Sequence, residues 1–154
     1  MKKILFVCTG NICRSVIAEH LFKKILKDKK IVDIEVGSAG IDGNPEYRIY
    51  GILAELMTEK GIDYSKHIST KITDKHLADC DLIIVMEQLH QKYISYSNPE
   101  ADGKVKLLKE LAGEGKVDIH DPIGKPAEAY KEVFEEINEC IKKVAENLIE
   151  AAGR

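Results

Sequence analysis

Apolar residues along the chain follow two spacings, one typical of strands and one typical of helices. Unbroken apolar runs at residues 4–7 and 82–86 predict buried strands, of which the second is the clearest in the chain. Alternating apolar and acidic residues at 32–36 predict another strand, which ends at Gly37-Ser38. Residues 105–108 predict a fourth. The chain therefore has the strands for one sheet.

Helical spacing of apolar residues fills the intervals between these strands. The predicted helices cover residues 16–26, 49–57, 73–78, 89–94 and 130–148. Strands that alternate with helices pair in parallel through right-handed crossovers, which predicts an α/β domain of three layers. No repeat or linker divides residues 1–154, so a single domain is expected. In such sheets ligands bind beyond the carboxyl ends of the strands, and the first strand ends at Cys8.

The charge, the apolar stretches and the cysteines of the chain limit the classes of function that can be expected. The chain has 154 residues and a net charge of −3, which gives no reason to expect a nucleic acid partner. The apolar start is too short for a signal peptide, and no stretch reaches membrane length. A cytoplasmic protein is therefore expected, with its cysteines reduced. A monomer is expected because the apolar residues all have places in one core. Those cysteines are Cys8, Cys13, Cys80 and Cys140.

The segment from Cys8 to Ser15 carries the most informative chemistry. A cysteine is followed by five residues, an arginine and a hydroxyl residue, between a predicted strand and a predicted helix. Backbone N–H groups of such a loop form an anion-binding nest, to which the helix N-terminus adds partial positive charge. We expect Gly10 to permit the loop conformation and close approach to the anion. Arg14 offers a planar fork for two phosphate oxygens.

The same positive field favours a thiolate at Cys8, which is the nucleophilic form of cysteine. Ser15 can donate a hydrogen bond to this sulfur, and Asn11 is expected to hold the loop through hydrogen bonds to the backbone. The alternative is a cysteine that only packs at the end of a strand. Dinucleotide-binding and Walker-type glycine motifs are absent from the sequence, and no paired Cys or His set suits zinc.

A second candidate centre is the segment His120-Asp121-Pro122. Departure of a leaving oxygen needs a proton, which a positioned carboxylic acid supplies. Pro122 restricts Asp121 to an extended conformation, although an ordinary Asp-Pro turn is an equal alternative. His120 is expected at the surface. The other histidines are expected to be structural or solvated.

These two segments together make the chain resemble the low-molecular-weight protein-tyrosine phosphatases over nearly its whole length. The resemblance is carried by Val7 to Ser15 and by Asp121-Pro122, with support from Ser38-Ala39-Gly40 and from 81–86. It implies a four-stranded parallel sheet flanked by helices, and hydrolysis of phosphomonoesters in proteins without metal or cofactor. Inorganic phosphate and vanadate are then expected inhibitors.

The resemblance also assigns site residues. It implies that Cys8 is the nucleophile, Arg14 the phosphate clamp and Asp121 the acid and later the base. The implied substrate-binding residues are Thr9, Gly10, Asn11, Ile12, Cys13, Ser15, Tyr47 and Ile123. Members of the family can join the second loop cysteine to the nucleophile in a reversible disulfide. Cys13 matches that second cysteine, and the alternative role of Cys13 in core packing is compatible with such a disulfide. Animal members place paired aromatic residues after Asp-Pro, whereas Ile123-Gly124 follow here, so the pocket wall is expected to be aliphatic or to use Tyr47.

Three other functions share parts of this pattern. Bacterial phosphoarginine phosphatases resemble the loop but typically have Thr where this chain has Ile12, so Ile12 favours phosphotyrosine. Thioredoxin-coupled arsenate reductases need two further cysteines in relay, whereas Cys80 and Cys140 both fit core positions. A phosphate-binding module without catalysis would need neither the thiolate nor Asp121. Replacement of Cys8 by Ser distinguishes it, since such a module has no turnover to lose.

Overall fold

The computed structural model describes residues 2–153. Its centre is a four-stranded, fully parallel sheet with the strand order β2-β1-β3-β4. The strands are β1 (Lys2–Cys8), β2 (Ile34–Gly40), β3 (Leu82–Val85) and β4 (Val105–Leu107). The predicted fold class is confirmed.

Helices connect the strands and cover both faces of the sheet. They are α1 (Arg14–Asp28), α2 (Gly51–Glu59), α3 (Asp74–Asp79), α4 (Gln88–Ser97), α5 (Leu108–Leu111) and α6 (Ala127–Ala151), with a 3₁₀ turn at Pro99–Lys104. Thr73 caps α3 as predicted, because its side chain accepts the His76 N–H. Between residues 2 and 153 there is no helix with the length and apolar character needed to span a membrane.

The predicted limits of the second strand were wrong. β2 begins at Ile34 rather than at Val32, which lies outside the strand and is 87% exposed. The strand also continues past Gly37-Ser38 to Gly40, because it pairs with β1 along its full length, from Lys2 opposite Ile34 to Cys8 opposite Gly40. The alternating pattern could not reveal this, since the partner strand sets the length. As a result, Gly40 lies beside the end of β1.

Alternate residues of β1 enter two separate cores, as the period of a strand requires. Ile4 and Phe6 pack on the face covered by α1, α2 and α6. Leu5 and Val7 pack on the other face with residues of α3 and α4. Both faces of β1 are therefore buried, which explains its unbroken apolar sequence.

The strand order places a topological switch point beside β1. The chain leaves β1 through α1 to reach β2 on one side, whereas β3 pairs with β1 on the other side. Crevices at such points, beyond the carboxyl ends of the strands, are the usual ligand sites of open α/β sheets. Cys8 ends β1 at this position.

Candidate active site

The predicted loop lies between the end of β1 and the start of α1. Cys13 is the N-cap residue of α1 and its side chain makes no capping hydrogen bond. The N–H groups of the first helical turn, which lack partners within a helix, are thus left without a side-chain cap. Together with the helix dipole, they favour an anion at this end of the loop.

The Cys8 sulfur lies in a prepared hydrogen-bonding environment. The Ser15 hydroxyl oxygen is 3.0 Å from Cys8 Sγ and accepts a hydrogen bond of 2.8 Å from the Asn11 amide. Because Asn11 donates to this oxygen, the Ser15 hydrogen is available for the sulfur. Cys8 and Ser15 are both buried. Ser15 is therefore placed to stabilise a thiolate, as the sequence predicts.

Asn11 holds the shape of the loop. Its backbone is in the left-handed region with φ of 53°, and its side-chain oxygen accepts the Thr70 N–H at 3.0 Å. Its amide also donates to Ser38 Oγ at 2.9 Å. Two further side chains contact backbone carbonyl groups of the loop. His67 Nε2 lies 2.7 Å from the backbone oxygen of Asn11, and the Ser69 hydroxyl donates to the backbone oxygen of Gly10 at 2.7 Å.

Gly10 lacks the special backbone conformation predicted for it, whereas its close approach to an anion stays a prediction. Gly10 has no positive φ, and a Cβ added there would meet only ordinary contacts of 3.9 Å. A Cβ on Gly40 would instead lie 2.9 Å from the Asn11 nitrogen, and closer still to the Thr9 carbonyl oxygen. The end of β2 presses directly against the loop, so the steric requirement belongs to Gly40.

Arg14 is 1% exposed and is held from several directions. Its Nη1 pairs with Glu87 and donates to the Ile119 carbonyl oxygen at 2.7 Å. Its Nη2 lies 3.4 Å from Thr9 Oγ1 and 3.5 Å from Asp121 Oδ2. These contacts fix the plane of the guanidinium beside the loop and bring Asp121 to the same place.

Asp121 differs from the loop residues in its exposure. Its side chain is 35% exposed, and one of its oxygens accepts the Ile123 N–H at 3.0 Å. His120 is exposed, as predicted. The structure therefore brings together Cys8, Arg14 and Asp121, although more than 100 residues separate the first from the last in sequence.

The predicted wall residues divide into two groups. Ile12 and Tyr47 line a groove of about 380 Å³ beside the loop, and atoms of both come within 3.9 Å of a Cβ built on Gly10. Ile123 is 54% exposed and lies next to Pro122, outside the residues that line this groove. Tyr47, the aromatic residue expected in the pocket wall, lies in the segment that follows β2.

The remaining cysteines occupy core positions. Burial, with the neighbouring Cys8 as a smaller cause, raises the pKa of Cys13 well above its ordinary value. Cys80 and Cys140 belong to the cores on opposite faces of the sheet, as expected for packing residues. All four cysteines are free thiols. Within residues 2–153 no group of three or more His, Cys, Asp or Glu side chains is arranged to hold a metal ion.

Sequence reasoning missed two residues that contact the loop from the end of β3. Glu87 pairs with Arg14, and the His90 ring lies 2.9 Å from Thr9 Oγ1 with the residue completely buried. Glu87 comes directly after a predicted strand that is parallel to β1, and His90 follows three residues later in the first turn of α4. Since the carboxyl ends of parallel strands meet at one edge, this position was the available signal.

The family of low molecular weight phosphotyrosine protein phosphatases matches residues 3–152. The chain belongs to this family. A putative low molecular weight protein-tyrosine-phosphatase of Klebsiella pneumoniae is 36% identical over 145 residues, or 94% of this chain and 96% of that protein. The family resemblance seen in the sequence is confirmed.

Relatives that are named for a different substrate have a comparable sequence identity. The protein-arginine-phosphatase of Bacillus subtilis strain 168 is 33% identical over 145 residues, or 94% of this chain and 95% of that protein. The structure of the YwlE arginine phosphatase, a cysteine-to-serine mutant with a phosphorylated active-site serine, superposes with a TM-score of 0.88 and 32% identity, covering 95% of each chain. Membership of the family therefore leaves two named substrates to distinguish.

Proposed function

We propose that this chain is a protein-tyrosine phosphatase that hydrolyses phosphotyrosine in proteins through a cysteinyl-phosphate intermediate. The observation that carries the proposal is the convergence of three side chains. Arg14, the first residue of α1 at the end of the loop that starts at Cys8, is 3.5 Å from Asp121 Oδ2 through its Nη2. A nucleophile, an anion clamp and an acid thus share one edge of the sheet.

In the first step, the phosphate oxygens bind the loop amides and the Nε–Nη2 edge of Arg14, since Nη1 is committed to Glu87 and Ile119. The Cys8 thiolate attacks phosphorus, and the bond from phosphorus to the phenolic oxygen breaks. Protonated Asp121 gives its proton to that oxygen, so a neutral phenol leaves. The products of this step are tyrosine and cysteinyl-phosphate.

In the second step, the Asp121 carboxylate takes a proton from a water molecule that attacks phosphorus. The bond from phosphorus to sulfur breaks, inorganic phosphate is released and Asp121 is protonated again. The Ser15 hydroxyl, 3.0 Å from Cys8 Sγ, stabilises the departing thiolate. The phosphorylated active-site serine in the structure of the YwlE mutant supports an intermediate of this kind.

The preference for phosphotyrosine rests on the loop wall. Ile12 and Tyr47 flank Gly10 and present apolar atoms to the groove beside it. An aromatic ring gains from contact with such a wall, whereas a guanidinium needs hydrogen-bond partners that a branched aliphatic side chain lacks. Phosphoarginine remains the second candidate, because relatives named for that activity are 33% identical to this chain.

The test is hydrolysis of phosphotyrosine and phosphoarginine side by side, with chelator present, by wild type and by Cys8→Ser. We expect turnover of phosphotyrosine that Cys8→Ser reduces to background while inorganic phosphate or vanadate still binds. Turnover of phosphoarginine alone contradicts the substrate assignment, and absence of both activities contradicts the phosphatase proposal.

Ile12→Thr and Ile12→Val form a matched pair for the substrate preference, because threonine and valine differ by a hydroxyl in place of a methyl. We expect Ile12→Thr to gain hydrolysis of phosphoarginine relative to Ile12→Val. Equal rates for the two variants would show that the hydroxyl at this position does not select the substrate.

A further inference from the structure

The His90 ring has a defined tautomer. The Glu87 backbone N–H donates to His90 Nδ1 at 3.0 Å, so the ring hydrogen lies on Nε2. Burial, and to a smaller extent the nearby Arg14 charge, lowers the pKa of His90 to about 4, which keeps the ring neutral near pH 7. His90 is therefore a fixed hydrogen-bond donor at Nε2.

This donor determines the direction of the Thr9 hydroxyl. His90 Nε2 lies 2.9 Å from Thr9 Oγ1, and Arg14 Nη2 lies 3.4 Å from the same oxygen. A hydroxyl has one hydrogen and two lone pairs. With donors on both lone pairs, the Thr9 hydrogen must point away from His90 and Arg14.

Thr9 directly follows the nucleophile, and Nη2 of Arg14 is 3.4 Å from the Thr9 hydroxyl oxygen and 3.5 Å from Asp121 Oδ2. A phosphate bound by Arg14 would therefore have an oxygen within reach of the Thr9 hydrogen. We propose that His90 is a positioning residue that acts through Thr9, by making the Thr9 hydroxyl a dedicated hydrogen-bond donor to the phosphate. This inference rests on the proposed phosphatase function.

The chain supplies a matched control for His90. His76 occupies the same position in α3 that His90 occupies in α4, and its Nδ1 accepts the Thr73 backbone N–H at 3.0 Å. His76 also bonds the Thr73 hydroxyl, at the amino-terminal side of β3 rather than near the loop. Replacement of His76 thus removes the same capping contact without touching Thr9.

The experiment compares kcat and KM for phosphotyrosine among variants at these positions. We expect His90→Phe and Thr9→Val each to lower kcat/KM about tenfold or more, the effect of losing one hydrogen bond to the charged phosphate. His90→Gln, which can place an amide donor near the position of Nε2, is expected to recover most of the loss. His76→Phe is expected to lower the melting temperature and leave kcat/KM unchanged.

The double variant His90→Phe with Thr9→Val distinguishes positioning from a general structural role. If His90 acts through Thr9, the double variant is no slower than Thr9→Val alone. Losses that multiply overturn the inference, as does an effect of His90→Phe on melting temperature alone. NMR of the His90 ring nitrogens gives a direct check, since a hydrogen found on Nδ1 at pH 7 also contradicts it.

Binding of inorganic phosphate separates this inference from the proposed function. The dissociation constant, measured by calorimetry, is expected to rise about fivefold or more in Thr9→Val and in His90→Phe, but not in His76→Phe. If wild type hydrolyses neither substrate, the proposed function fails, and these titrations still decide the role of His90. Equal phosphate affinity in all variants overturns it.

Discussion

The loop from Cys8 to Ser15 and the segment from Asp118 to Gly124 bring opposite physical properties to one site. In the loop, Asn11, Arg14 and Ser15 are at most 1% exposed, and each has several hydrogen-bond partners. In the segment, the Asp121 side chain is 35% exposed, and its contacts are one backbone N–H and the edge of Arg14. The buried, hydrogen-bonded residues are therefore in the loop, whereas Asp121 is accessible to solvent.

This difference suits the two tasks proposed for the regions. A binding site for a transferring phosphoryl group gains from donors that are fixed before the substrate arrives. An acid that later acts as a base must exchange protons and admit a water molecule. Partial exposure of Asp121 is compatible with both requirements.

The segment is nevertheless anchored just before its acid. The Ile119 N–H donates to the Met86 oxygen at 2.8 Å, and the Asp118 carboxylate accepts the Gln88 N–H at 2.8 Å. The carbonyl of Ile119 also accepts a hydrogen bond from Arg14. The end of β3 thus sets the position of Asp121 relative to the loop.

The largest expected effect comes from Asp121→Asn, which removes the acid but keeps an oxygen for the Ile123 N–H. We expect kcat for phosphotyrosine to fall by about 10²–10⁴-fold, the usual contribution of general acid catalysis. The melting temperature should change little, because partly exposed ion pairs contribute only about 0–1 kcal/mol. Kinetics and thermal melts of the same samples check both expectations.

An aryl phosphate with a weakly basic leaving group provides the control for Asp121→Asn. Such a leaving group needs little protonation, so the loss in the first step should be smaller with it than with phosphotyrosine. An equal loss with both substrates would contradict the role of Asp121 as the acid.

Gly40→Ala tests the opposite property, the rigidity of the loop. Its Cβ would meet backbone atoms of Thr9 and Asn11, which cannot move aside as a flexible side chain can. We expect a loss of about 3 kcal/mol in the free energy of unfolding, the upper end of the usual range for overpacked interiors, together with lower activity. Denaturant unfolding measures the stability.

Gly37→Ala, in the same strand, is the matched control for Gly40→Ala. A Cβ on Gly37 would meet only the Leu5 side chain at 3.8 Å, which is ordinary contact. This variant should keep near-normal stability and activity. If both variants lose a similar amount of stability, the cause is the replacement of glycine in the strand and not contact with the loop.

The buried His90 ring makes the free energy of unfolding depend on pH. Its pKa in the folded state is about 4, below the ordinary 6.5, so the unfolded state binds more protons between these values. The contribution of His90 to the free energy of unfolding is therefore fully present above pH 6.5. It falls by roughly 3 kcal/mol as the pH falls towards 4. Unfolding free energies at several pH values should show a flatter profile in His90→Phe, and parallel profiles would contradict the assignment.

The smallest expected effect is that of Ser15→Ala. Loss of the hydroxyl removes one hydrogen bond to the Cys8 sulfur and leaves the Asn11 amide with Ser38 as a partner. We expect kcat/KM to fall about tenfold, as for one hydrogen bond to a charged group. Ser15→Thr, which keeps a hydroxyl, should retain more activity. If Ser15→Ala equals wild type, the hydroxyl does not stabilise the thiolate.

Local sequence patterns determined the elements of the fold and the main residues of the loop. The apolar run of β1, the helical stripe of α6 and the Thr73 cap were predictable because each depends on neighbours close in the chain. Cys8, Arg14 and Ser15 were predictable as a group for the same reason. Local signals made Asp121 only one of two equal alternatives, an acid or a plain Asp-Pro turn, and the family resemblance gave it the role of the acid.

Tertiary structure alone decided which distant residues complete the site. The length of β2, and with it the contact of Gly40 with the loop, followed from pairing with β1. The contacts of Glu87 and His90 followed from the parallel alignment of β3 beside β1, which brings side chains about 80 residues away to within hydrogen-bonding distance of the loop. Such contacts depend on strand order and register, which periodicity within one segment cannot encode.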